Sequence, residues 1–235
     1  MQPSSAARPL SGLTVALTDR PEAVGVDAEV AKLLEAATIA AERLGARIVR
    51  LPAIPDLSGH DFSVILLSEV AAYHPQQIAG ADGAYRPSVR EFIDQSRSFT
   101  SVEAYLNAQR RRTRVTAAWE EWFSEHGVDV ILEPTTPCAA PERGHGYESG
   151  HPAGQGDPLV VLTATWDVTG FPVASLPGGL GERSKLPVGL SVIGPRGADA
   201  RTLQIGIDMQ AHALPPLEIA KPQSSSRGDR AERAT

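Results

Sequence analysis

The chain of 235 residues has one cysteine, Cys138, and only three lysines, Lys32, Lys185 and Lys221. A lone cysteine cannot close an internal disulfide, so nothing points to an oxidising compartment, and the cytoplasm is the expected location. Nowhere does the sequence approach the ~18 consecutive apolar residues that a membrane helix needs, and Met1 to Pro9 lacks the apolar core of a signal peptide. No membrane partner is expected. The formal net charge is -6, and the one basic cluster, Arg110-Arg111-Arg112 with Arg114, spreads around a helical turn. Nucleic-acid backbones are bound by Lys and Arg gathered on one face, so no nucleic-acid partner is expected either.

What is present suits a folded domain. Hydrophobic residues make up 42% of the chain, and a chain of this length buries roughly 70% of its unfolded surface. With 21 Gly and 19 Pro, many turns should punctuate that core. The apolar run Leu13 to Leu17 predicts a strand, followed by a turn-like link from Asp19 to Asp27. Asp27 is placed to cap a helix whose apolar positions Val30, Leu33, Leu34, Ala37, Ala41 and Leu44 follow helical spacing, with Gly45 closing it. A strand from Ile48 to Leu51 completes a strand, helix, strand crossover, the unit that builds parallel pairs, so the fold class is α/β.

Further along, Phe62, Ile65, Leu66, Val70 and Tyr73 predict a helix over residues 61–73 that stops before Pro75, with a loop from Gly80 to Arg86. A longer helix is predicted over residues 101–125, capped by Thr100 with Glu103. Its apolar stripe runs through Tyr105, Ala108, Val115, Trp119 and Trp122 and also includes Arg112, which must find either an ion-pair partner or a substrate contact. Gly127 ends this helix before a strand over residues 128–132, stopped at Pro134. Residues 133–158 read as surface loop, Val173 to Leu176 and Val188 to Ile193 as strands joined by a Gly-rich link. Asp199 should cap a last helix through Leu203, Ile207 and Ala211. Residues 1–9 and 217–235 lack apolar periodicity and are expected to be disordered.

Candidate chemistry is sparse. The G-x-S-x-G turn of serine hydrolases does not occur; Gly146 to Gly150 resembles it only loosely, with Ser149 misplaced between His145 and His151. Those histidines, six positions apart in a loop, lack a metal-ligand spacing, and no metal or other cofactor is called for. Cys138 sits after a predicted strand, where a small buried thiol accounts for it as well as a nucleophile does. Gly178, Gly179 and Gly181 do not form a dinucleotide fingerprint.

Three strings carry a family resemblance. Asp129 to Pro137 reads DVILEPTTP, with Ala140-Pro141 following. Asp167 to Gly179 reads DVTGFPVASLPGG, and Leu186 to Gly194 reads LPVGLSVIG. With Tyr105, Ala108 and Arg112 spaced as YxxAxxxR, and the crossover over residues 26–50, they resemble in order the second half of the amidase-signature family, over about residues 10–214. The resemblance implies a mixed β-sheet flanked by helices and hydrolysis of a carboxamide C–N bond through an acyl-enzyme. In that family a Lys, a cis-Ser and a nucleophilic Ser act from a Gly/Ser-rich stretch ahead of this half. No lysine here adjoins such a stretch, so no residue takes a catalytic role.

By the same resemblance, Thr136, Pro137, Thr163, Trp166 and Asp167 are expected to line the wall of the substrate pocket, with Asp167 standing where the family usually has Asn. The implied partners are a small-molecule amide and either an N-terminal amidase half or a second copy of the chain. A binding or regulatory module that kept the fold without the chemistry is the alternative. A sheet cut in two should expose a strand edge and an apolar patch, and so promote association.

Overall fold

The computed structural model describes residues 1–4, 6–54, 59–79, 85–97, 101–141 and 159–215. In chain order the elements are β1 (Thr14–Thr18), α1 (Arg20–Val24), α2 (Ala28–Arg43), β2 (Arg47–Leu51), α3 (Gly59–Ala79), α4 (Pro87–Ser96), α5 (Val102–His126), β3 (Val130–Pro134), α6 (Ala164–Thr169), β4 (Val173–Leu180), β5 (Pro187–Ile193) and α7 (Asp199–His212).

The strands form one mixed sheet in the order β2-β1-β3-β5-β4. The expected crossover is there: α2 carries the chain from β1 to a parallel β2, with Val15 opposite Ile48. β1 also pairs in parallel with β3. β5 runs antiparallel to both β3 and β4, and β4 and β5 form a hairpin. Buried on both faces, β1 and β3 carry the unbroken apolar runs Val15-Ala16-Leu17 and Val130-Ile131-Leu132 rather than alternating ones. The architecture is the α/β mixed sheet flanked by helices that the sequence predicts.

Each face of the sheet has its own core. One is aliphatic: Val15, Leu17, Val130, Leu132, Leu190 and Val192 pack with Ala37 and Ala41 of α2 and Ile205 and Met209 of α7. The other is aromatic: Ala16, Ile131 and Ile193 pack under Trp119, Trp122 and Phe123 of α5, Trp166 of α6, and Phe171. A smaller cluster of Val64, Ile65 and Ala108 joins α3 to α5.

Several local expectations are corrected. The link after β1 contains α1, with Pro21 in its first turn. Asp27 makes no side-chain cap; its backbone N–H instead donates to the Pro137 carbonyl at 2.9 Å. α3 continues past the expected stop, through Pro75 to Ala79. Helix α4 falls just after the predicted loop, of which residues 80–84 lie outside the described residues. Ser101 caps α5, accepting from the Ala104 N–H at 3.2 Å; Thr100 lies outside the described residues. Gly127 does close α5, in the left-handed conformation with φ 56°.

Arg112 does not make the buried ion pair. Its neighbour Arg111 pairs with the buried Asp61 of α3, while Arg112 donates to Gln109 Oε1 at 3.1 Å within its own helix. At the N-terminus, where composition predicts disorder, the Ser4 N–H donates to Asp208 Oδ1 at 2.6 Å and the Gln2 carbonyl accepts from Gln204. The predicted tail, residues 217–235, lies outside the described residues. β2 and β4 are the sheet edges, and on β4 Val173 and Leu180 are exposed.

Candidate substrate-wall site

Alternation along β3 sends Val130 and Leu132 to the aliphatic face and Ile131 and Glu133 to the aromatic one. Glu133, expected to begin a surface loop, is instead 1% exposed inside the strand. A carboxylate taken that far from water must be met by charge and hydrogen bonds. Arg20 supplies them: its Nη1 donates to both Glu133 oxygens at 2.7 Å. Its Nη2 donates to the Leu162 carbonyl at 3.1 Å. Trp166 Nε1 donates to Glu133 Oε1 at 2.6 Å, and the Arg20 guanidinium lies 4.7 Å from the Trp166 ring centroid.

This buried cluster ties together the start of α1, the end of β3 and the turn leading into α6. Removing one member strands the others, which is why such pairs are costly to break even though their net contribution to folding is small.

Beside it runs a row of hydroxyls. In the sheet register Glu133 stands opposite Ser191, and Ser191 opposite Ser175. Thr135 Oγ1 bonds to Ser175 Oγ at 3.0 Å and to Ser191 Oγ at 2.8 Å. Gly189 admits Thr135 to this row, since a Cβ at that position would lie 2.8 Å from Thr135 Oγ1. The aromatic face thus turns from apolar at Ile131 and Ile193 to polar at the C-terminal end of β3.

Of the five expected wall residues, Thr136 and Pro137 follow β3 directly, and Trp166 bonds to Glu133. Thr136 is half-buried and donates to the Cys138 carbonyl at 2.8 Å, and Pro137 is buried. Cys138 itself is half-buried. Thr163 precedes α6 and donates weakly to the Val160 carbonyl at 3.3 Å. Trp166 is buried, with its indole turned to Glu133. Asp167 is exposed on α6, yet enough protein lies against its carboxyl for desolvation to push its pKa above the ordinary carboxylate range. Gly170, with φ 73°, ends this short helix.

Among the described residues no hydrogen bond runs directly from Thr136 or Pro137 to Thr163 or Asp167. The two segments are joined through Glu133, Arg20 and Trp166. His145, Ser149 and His151 lie outside the described residues. Among those described, no three His, Cys, Asp or Glu side chains gather as metal ligands would, and no helix is long and apolar enough to cross a membrane.

Sequence reasoning missed Arg20, Glu133, Thr135, Ser175 and Ser191. For Glu133 a signal existed: a charged residue in phase with Ile131 along a strand buried on both faces demands a partner. Its partner, Arg20, lies 113 positions away, and nothing local marks it. What the arrangement offers chemically is a rigid polar wall, with hydroxyls able to donate to or accept from an amide.

The fold and this polar sheet end define an α/β chain of the kind found in amide-processing enzymes. The amidase family model matches residues 2–203, and the chain belongs to that family. It is 30% identical over 199 residues to 2-amino-5-chloromuconic acid deaminase of Comamonas testosteroni, a match covering 80% of this chain and 42% of that protein. A glutamyl-tRNA(Gln) amidotransferase component from Solidesulfovibrio magneticus is 29% identical, over 88% of this chain and 46% of the relative. Among solved structures, 6-aminohexanoate cyclic dimer hydrolase superimposes with a TM-score of 0.69 at 21% identity, covering 91% of this chain and 49% of that one. The glutamyl-tRNA(Gln) amidotransferase component from Thermotoga maritima does so with a TM-score of 0.60 at 25% identity, covering 88% and 45%. The chain thus spans somewhat less than half the length of the relatives it matches.

Proposed function

We propose that this chain acts as the C-terminal portion of an amidase, forming the substrate-facing wall of a site whose Lys, cis-Ser and Ser triad is supplied from outside the sequence described. The observation that carries this reading is the pairing of the two coverages: nearly all of this chain matches less than half of each relative. Thr136 and Pro137 on one side, and Thr163 and Asp167 on the other, would bound the acyl part of a small carboxamide. Trp166 would set their spacing from behind through Glu133. Cleavage of an amide needs an activated hydroxyl and donors aimed at the developing oxyanion. The hydroxyls of Ser175 and Ser191 both bond to Thr135, and the neighbouring Glu133 carboxylate is engaged by Arg20 and Trp166, which suits a wall rather than a nucleophile. The working site would lie in the cytoplasm and pair with an N-terminal amidase half or a second copy of the chain.

The test is ammonia release from a panel of small carboxamides, by the chain alone and by the chain joined in frame to the coding sequence directly upstream. Activity in the joined protein and none in the isolated chain is the expected result. Hydrolysis by the isolated chain would place the nucleophile within it. Were the upstream frame closed and both samples inert, the reading as a non-catalytic binding module would replace this one.

A further inference from the structure

A second polar site lies outside the wall. Between α5, the end of α6 and the turn after β5 there is an open cavity of about 410 Å³, whose lining includes Arg112, Thr116, Glu120, Thr169 and Arg196. That size is within the range of small-molecule sites.

The donors of this groove are its two guanidinium groups. The threonine hydroxyls spend their protons on helix carbonyls: Thr116 on Arg112 at 2.9 Å and Thr169 on Thr165 at 2.5 Å. Arg112 is held from behind by a chain of side chains. Its Nη1 donates to Gln109 Oε1 at 3.1 Å, Gln109 Nε2 donates to the Tyr105 hydroxyl at 2.9 Å, and that hydroxyl donates to Glu69 Oε1 at 3.0 Å. Arg196 is held by Glu120 at 3.0 Å. Guanidinium groups positioned in advance lose less freedom on meeting a ligand, and their planar fork matches a carboxylate.

We propose that this groove is a binding site for the carboxylate group of a small organic acid. Charge selects the ligand class: Arg112 and Arg196 against Glu120 leave one net positive charge in the lining, which balances a carboxylate and under-balances a phosphate dianion. The same arrangement explains why α5 carries an arginine in its apolar stripe with no ion-pair partner there among the described residues. The site stands independently of the amidase reading, because it can be occupied whether or not catalysis takes place.

The test is titration of the nitrogen-15-labelled chain with butyrate, a monocarboxylate, at low ionic strength, with succinate and inorganic phosphate run beside it. Saturable shifts are expected at residues 109–120, 169 and 196. Arg112→Gln should weaken butyrate binding by about tenfold or more, as loss of a charge-assisted hydrogen bond does. Ala117→Leu fills the groove without removing charge and should abolish the shifts. Arg110→Gln, on the same helix but outside the groove, should leave them unchanged. Absence of saturable shifts would overturn the proposal, as would phosphate or succinate binding more tightly than butyrate or an equal loss in Arg110→Gln. If Arg112→Gln does not fold, retention of butyrate binding by Ala117→Leu refutes the site on its own.

Discussion

The two faces of the sheet solve different problems with the same strands. The aliphatic face, under α2 and α7, has its hydrophobic cluster built from Val, Leu, Ile, Ala and Met, with no aromatic ring. The aromatic face holds all three tryptophans, Trp119, Trp122 and Trp166, and at its edge the buried Arg20 and Glu133. A face built from aliphatic side chains needs volume and complementarity, and tolerates exchange among shapes of similar size. A face carrying a buried charge pair depends on every polar member being satisfied, and that requirement holds the neighbouring segments in one arrangement. The candidate wall lies on the second face, where such rigidity is useful.

The contrast can be broken most severely at the ion pair. Glu133→Ala leaves Arg20 in a dry pocket and is expected to cost about 4 kcal/mol, the loss typical of breaking a buried pair from one side. Replacing both partners, as Arg20→Met with Glu133→Leu, should recover most of that loss if the cost is one of stranded charge. Urea unfolding of the single and double variants decides this, and a double variant as unstable as the single would show that the cluster's geometry matters more than its charge.

On the aliphatic face, Met209→Ala is expected to cost about 3 kcal/mol through lost burial and the cavity left behind. No second-site charge substitution should rescue it, and a loss below about 1 kcal/mol would mean that this face collapses to fill the gap.

The smallest effects are pH-dependent and of opposite sign on the two faces. The Glu29 carboxylate of α2 accepts the N–H groups of Arg183 and Ser184, each at 2.9 Å. The Ser184 backbone bond leads in holding its pKa below the ordinary value, with desolvation opposing it. A carboxylate depressed in the folded state contributes stability above its unfolded pKa of about 4.3, and that contribution disappears as pH falls through the folded value. Glu29→Gln should therefore destabilise the chain at neutral pH and much less in acid. Asp167 is raised by desolvation, so its charged form is a cost above its folded pKa that is relieved as pH falls. Asp167→Asn should give a slightly higher unfolding midpoint at neutral pH, with the gain vanishing in acid. Melting curves of both variants from pH 7 to pH 3 test the two signs together.

Much of the architecture is legible in the sequence because it rests on local periodicity. The crossover of β1, α2 and β2, the left-handed Gly127 after α5, and the stripe through Ala108, Trp119 and Trp122 all repeat at spacings that a single chain displays. The misses share a different cause. Arg111 and Arg112 differ by one position, which on a helix is a rotation of about 100°, and only the location of Asp61 on α3 decides which of them makes the ion pair. Sequence alone stops β3 before Glu133, since a charged residue beside Pro134 reads as loop until its partner is known. The family strings single out Thr136, Pro137, Thr163, Trp166 and Asp167, but give no sign of the Glu133 and Arg20 contacts between their segments.

By itself the sequence determined the α/β class, the parallel pair with its crossover helix, the long α5 helix and membership of the amidase family, because apolar spacing and short motifs are properties of consecutive residues. Tertiary structure alone decided that Glu133 is buried, that Arg20 answers it from 113 positions away, that Trp166 turns inward to join them, and that Arg112 faces a groove with Arg196. The physical reason is the same in each case: charge and hydrogen-bond complementarity act between residues brought together by packing, and no spacing along the chain records which of them will meet.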